Sequence, residues 1–133
     1  MNTVEEKVTT SSVPSVNKIR YEIEAAFSQI GVPSSLAGYP YIVDAISMVV
    51  LNRSVINSIT HGIYGELAER YYSTPGRVER VIRHVIETAY LRGNAEKLEE
   101  YVGCSNPKSG KLANGEFIAN FARAIWYKVY GYN

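Results

Sequence analysis

Arg77, Arg80, His84 and Glu87 recur at intervals of three and four, so a helix through them carries all four along one face. Glu79 and Arg83 flank that face. Two arginines one turn apart point the same way, and each guanidinium has the fork geometry to bond O6 and N7 of a guanine in a major groove. Glu79 beside them is an acceptor suited to cytosine N4, and Arg83 and His84, a turn further on, are placed for phosphates. Thr74, Pro75 and Gly76 at the helix start are small or tight, so a phosphate or base edge can approach the open N–H groups there. The competing reading is a solvated surface laced with local ion pairs such as Glu79 with Arg83, each contributing only ~0.2–0.5 kcal/mol.

For this face to be presented, the rest of the helix must be held. Val78, Ile82, Val85 and Ala89 form an apolar stripe on the opposite side. The spacing predicts a helix from Pro75, with Thr74 as its cap, to about Arg92, stopped by Gly93-Asn94. A shorter helix precedes it within Ser58 to Tyr71, weakened in the middle by Gly62 and Gly65. Leu67-Ala68 supplies the small residue that a close crossing of two helices needs, and Val78, Val81 and Ile82 follow at the distances of a helix-turn-helix. The turn departs from the usual pattern: Tyr72 and Ser73 stand where a glycine and an apolar residue are common.

Four further helices complete the pattern. Ser15 caps one carrying Ile19, Ile23, Ala26, Phe27 and Ile30, ended by Gly31 and Pro33. A strongly apolar one runs from about Ser35 or Gly38 to Leu51 and reads as central to the core, with Pro40 admissible only in its first turn. Ala95 to Val102 is short, with Leu98 and Val102 inward. Glu116 to Tyr130 is the last, with Phe117, Ile118, Phe121, Ala124 and Ile125 on its apolar face. Residues 103–115 read as a loop. No alternating strand pattern stands out. The expected architecture is all-α, a compact bundle of about six helices containing a helix-turn-helix, spanning residues 15–133 behind a flexible leader or linker remnant, residues 1–14.

Composition narrows the function. The 133 residues are 46% apolar, which suits one folded domain, and the formal net charge of +1 restricts any nucleic-acid site to a local patch. The single cysteine, Cys104, excludes an intrachain disulfide, and with only His61 and His84 beside it there is no zinc-ligand spacing. No metal or organic cofactor and no small-molecule substrate are expected. No nucleophile, base and orienting group can be assembled, so the chain is not expected to be an enzyme. Nothing approaches the ~18 apolar residues of a membrane span and no secretory signal is visible, so a reducing, cytoplasmic setting is expected.

Several blocks carry a resemblance beyond these patterns. They are Ile30-Gly31-Val32-Pro33, Gly38-Tyr39 with Tyr41, residues 44–49 (DAISMV), Ser58-Ile59-Thr60, Arg77-Val78-Glu79-Arg80, Ile82-Arg83-His84, Ile86-Glu87, Arg92-Gly93-Asn94, and Asn114 with residues 116–119 (EFIA). In that order, over roughly Ile19 to Lys128, they resemble the C-terminal DNA-binding effector domain of the stage-zero sporulation response regulator, which starts endospore formation in Firmicutes. The resemblance implies a six-helix fold. It also implies a double-stranded DNA target resembling TGTCGAA, often in tandem, read by Arg77, Glu79 and Arg80 with Gly76, Val81 and His84 nearby. It implies contact with the sigma subunit of RNA polymerase around Leu91, Arg92, Asn94 and Leu98, and homodimer contacts on tandem sites through the last helix. Three features depart from it. No stretch of these residues reads as a receiver domain with a phosphoacceptor aspartate, so a fragment or a stand-alone relative is expected. Gly76 and Val81 stand where the resemblance implies serine and alanine, and Glu96, Glu99 and Glu100 make the short helix unusually acidic. A protein-interaction module of the same fold that no longer binds DNA productively is the alternative.

Overall fold

Ser15 sits in extended conformation and its Oγ accepts the Lys18 N–H at 3.1 Å, which starts α1 (Val16–Ile30) where the sequence places it. The structure, a computed structural model, describes residues 15–103 and 111–131, apart from the side chains of residues 60 and 61. The expected leader, and Cys104 and Lys108 in the loop, lie outside the described residues. Gly31 closes α1 with φ of 97°, a left-handed conformation that glycine adopts without a Cβ clash.

α2 (Tyr39–Leu51) is the centre of the molecule. Every residue from Tyr41 to Ser47 is buried, and the helix packs most extensively on α6 and α1. Its start fits Pro40, which needs no N–H in a first turn. After α2 come a 3-10 helix (Arg53–Ser58) and a π-helical segment (Ile59–Tyr64), which leads directly into α3 (Gly65–Arg70). The sequence predicted helix from Ser58 to Tyr71 with a weak middle. The weakness takes the form of wider π turns ahead of Gly65. Then follow α4 (Pro75–Arg92), α5 (Ala95–Val102) and α6 (Asn114–Tyr130). Among the described residues there are six α-helices and no strand. The last helix begins two residues ahead of Glu116, because Asn114 is held by tertiary bonds described below.

The core joins these elements through aromatic contacts. Phe27 of α1 lies 4.8 Å from Phe121 of α6, which stacks on Phe117 at 5.6 Å and on Tyr101 of α5 at 5.0 Å. Phe27, Phe117 and Phe121 are fully buried, and burying a side chain of that size stabilises by roughly 1.5–3 kcal/mol.

One charge sits inside this apolar centre. Asp44 of α2 is 4% exposed. Its Oδ1 accepts from Arg20 of α1, and its Oδ2 accepts from Arg70 of α3 at 3.2 Å and from the Tyr71 hydroxyl at 2.5 Å. A buried carboxylate is tolerated only when its oxygens are met in this way. Replacing Asp44 by Asn keeps the shape but removes the charge that three donors face. The partly exposed guanidiniums can rehydrate, so the expected loss is about 1–3 kcal/mol, read as a lower urea midpoint with unchanged slope. The same cluster makes stability depend on high pH. Burial, then the hydrogen bond to Asp44, then the Asp44 charge push the Tyr71 hydroxyl up to about 12 from the usual 10.0. A proton held more tightly in the folded state stabilises fully below the unfolded value and is lost as pH climbs through the folded one. Urea midpoints should therefore fall between pH 10 and about 12. Tyr71→Phe should fall less steeply, with the remaining slope coming from Tyr39, Tyr64 and Tyr90, which burial also pushes up.

Candidate nucleic-acid interface

Leu67 and Ala68 of α3 face inward, as do Val78, Ile82 and Val85 of α4, so the two helices cross over a shared apolar seam. Between them the chain reverses through three backbone bonds: Tyr71 N–H to Leu67 O (3.0 Å), Tyr72 N–H to Glu69 O (3.4 Å) and Ser73 N–H to Ala68 O (2.7 Å). The reversal puts Tyr72 at φ of 55°, the only described residue other than glycine with positive φ. This explains the missing glycine. The turn keeps the left-handed geometry that glycine usually supplies, and here tyrosine adopts it at a cost of roughly 1–2 kcal/mol. The side chain gains nothing from packing, being 97% exposed.

The back of α4 is held just as closely. A Cβ on Gly38, at the start of α2, would lie 2.1 Å from the Val81 carbonyl oxygen and 2.9 Å from Val85 Cγ2. Only glycine lets these backbones meet. Val81 itself is partly buried against the core. From α6, Asn114 Nδ2 donates to the Glu79 carbonyl at 3.1 Å and to the Tyr64 hydroxyl at 3.0 Å. Three elements thus fix the register of α4 from behind. The sequence carried a signal for Asp44, since an ionised group in a helix apolar on all sides needs cations nearby. Asn114 stood out only within the resemblance; by type it reads as a turn residue before Gly115.

The outer face is open. Arg77, Arg80 and His84 are exposed. Residues three apart on a helix sit about 60° apart around the axis and about 4.5 Å along it, so the two arginines project as a pair. Among the described residues, neither guanidinium has an ion-pair partner. Glu79 and Arg83 differ: they form the local ion pair with each other, both about 40% exposed. That pair spends the Glu79 carboxylate inside the protein. Glu87 lies 4.0 Å from Lys111.

At the leading end of α4, Thr74 is in extended conformation and its Oγ1 accepts the Arg77 N–H at 3.2 Å. Its own O–H remains a donor. Pro75 has no N–H, and the Val78 N–H is bonded to Thr74 O. Among the described residues this leaves the Gly76 N–H as the open backbone donor of the first turn. A Cβ on Gly76 would meet nothing within 4 Å, so the protein interior does not demand glycine there.

At the far end, Leu91 is 82% exposed and Arg92 is exposed beside it. The Asn94 side chain caps α5 by accepting the Lys97 N–H at 3.0 Å, while its N–H donates to Ile30 O at 2.8 Å. Leu98 does not belong with this surface. It is 4% exposed and anchors α5 to the core, as the inward spacing of Leu98 and Val102 predicts.

Among the described residues, no three or more His, Cys, Asp or Glu side chains could hold a metal ion, and no helix is long and apolar enough to cross a membrane. A family model described as the sporulation initiation factor Spo0A C terminal matches residues 23–125, from within α1 to within α6.

Proposed function

This chain belongs to the family of sporulation initiation factor Spo0A C-terminal domains, and on that premise we propose that α4 is its recognition helix, reading a TGTCGAA-like element in the major groove of double-stranded DNA. The family is one of DNA-binding transcription-factor domains rather than of enzymes, so the chain is a DNA-binding sporulation regulator's effector domain. The observation that carries the finer reading is the pair Arg77 and Arg80, exposed side by side and unpaired among the described residues. An arginine already locked to a carboxylate must break that bond before it reads a base. Among the described residues, neither of these two is locked to a carboxylate.

The roles follow from position. Arg77 and Arg80 take guanine edges. Glu79 selects cytosine once Arg83 shifts from it to a phosphate, which lets one ion pair be exchanged for two intermolecular contacts. His84 sits on the same face toward the flanking backbone. The Thr74 hydroxyl and the Gly76 N–H meet a phosphate at the helix start. Leu91, Arg92 and Asn94 form the surface for the polymerase sigma subunit, Leu98 supporting it from inside. The last helix supplies contacts between copies bound to tandem elements.

Titrating a labelled duplex carrying TGTCGAA against a scrambled duplex of equal composition tests this. Wild-type protein should prefer the first, and its affinity should fall linearly with salt on logarithmic axes. Arg77→Ala or Arg80→Ala should lose about 1–3 kcal/mol on the element and much less on the scrambled duplex. Unchanged affinity and preference in both variants would end the base-reading assignment. Absence of a specific complex at any salt would instead favour a module that binds protein alone.

A further inference from the structure

Tyr72 combines two properties that the free protein does not reconcile. Its backbone is left-handed, with φ of 55°, and its side chain is 97% exposed. A residue without a side chain would make the same turn with less strain and expose no aromatic ring to water. Among the described residues, the Tyr72 phenol has no ion-pair, hydrogen-bond or ring partner. The adjacent Tyr71 shows the contrast. Its ring packs edge-on to Tyr41 at 4.8 Å and its hydroxyl is bonded to Asp44, so the partly buried Tyr71 is tied to the interior while Tyr72 faces outward.

Position says what lies outside. Two peptide units separate Tyr72 from Thr74, so their Cα atoms are at most about 7.6 Å apart. Thr74 caps the leading end of α4, where the Gly76 N–H is open. A helix that enters a major groove about 12 Å wide has a sugar-phosphate wall on either side of its leading end. A phenol projecting from the turn there is beside a wall rather than a base edge. We infer that Tyr72 is an additional anchor of the duplex backbone, its ring lying against deoxyribose and its hydroxyl donating to a phosphate oxygen. The inference rests on the proposed reading of α4 and adds a residue to it.

A backbone contact carries no sequence information, which sets it apart from the two arginines. Tyr72→Asn keeps a residue that tolerates the left-handed turn and removes the ring. Tyr72→Phe keeps the ring and removes the donor. On a duplex with a single element, Tyr72→Asn should bind about two- to tenfold more weakly, and by the same factor on the scrambled duplex. Tyr72→Phe should fall between it and wild type. Thermal unfolding of Tyr72→Asn should be no lower than wild type, so that weaker binding cannot be ascribed to a damaged fold. If Tyr72→Asn matches wild type on the single-element duplex while Arg77→Ala loses preference, the anchor is wrong and the reading of α4 stands. A change confined to cooperativity on tandem elements would place Tyr72 between protein copies and overturn the inference as well. If wild type itself forms no duplex complex, both fall together.

Discussion

A single carboxylate buried in the centre of a helical bundle constrains how every other element can sit. Asp44 cannot lie among apolar side chains unless donors reach both its oxygens, and the donors come from two separate helices and the turn between α3 and α4. Rotating α2 by one residue would bury the charge with no partner. Shifting α1 or α3 along α2 would strand an oxygen. The cluster need not add much net stability, because desolvating the charge offsets much of the attraction. What it supplies is selectivity among packings that apolar contacts alone would leave close in energy. Tyr71 ends the first helix of the helix-turn-helix, so this selectivity passes directly to where α4 begins.

From there the two sides of α4 divide the work. Its inner residues meet the seam with α3, the backbone of α2 and the side chain of Asn114. On its outer face Glu87 meets Lys111, while Arg77 and Arg80, without an ion-pair partner among the described residues, keep their hydrogen-bonding capacity. Glu79 and Arg83 occupy the boundary, paired with each other yet partly exposed. In the unbound protein such a pair satisfies two groups at low cost, and it can be traded for stronger intermolecular bonds in a groove from which water is excluded.

Much of this was legible in the residues themselves, because periodicity reports burial directly. The five positions that the spacing placed on the apolar face of α1 are the five that are buried, and the stripe of Val78, Ile82, Val85 and Ala89 lies on the inner face of α4. Leu98 shows the same logic overriding a resemblance: its spacing pointed inward while similarity put it on a contact surface, and it is buried. The partnerships of Asp44 and Asn114 span 24 to 27 and 35 to 50 residues, and no local pattern encodes which distant group will complete a hydrogen bond. The turn shows the reverse problem. Tyr72 looked like a departure from a motif defined by residue type, whereas the motif is a backbone conformation that a tyrosine can also adopt.

The close approach at Gly38 has a mechanical consequence. With main chain resting on main chain and no side chain between, α4 has no cushion to compress or rotate against. On the proposed reading of α4, a helix seated this way leaves the compliance of a complex to long arginine side chains and to the duplex. Under that reading, sequences that bend or widen cheaply are favoured at positions the protein does not touch, so discrimination is shared between chemical recognition and the elasticity of the nucleic acid.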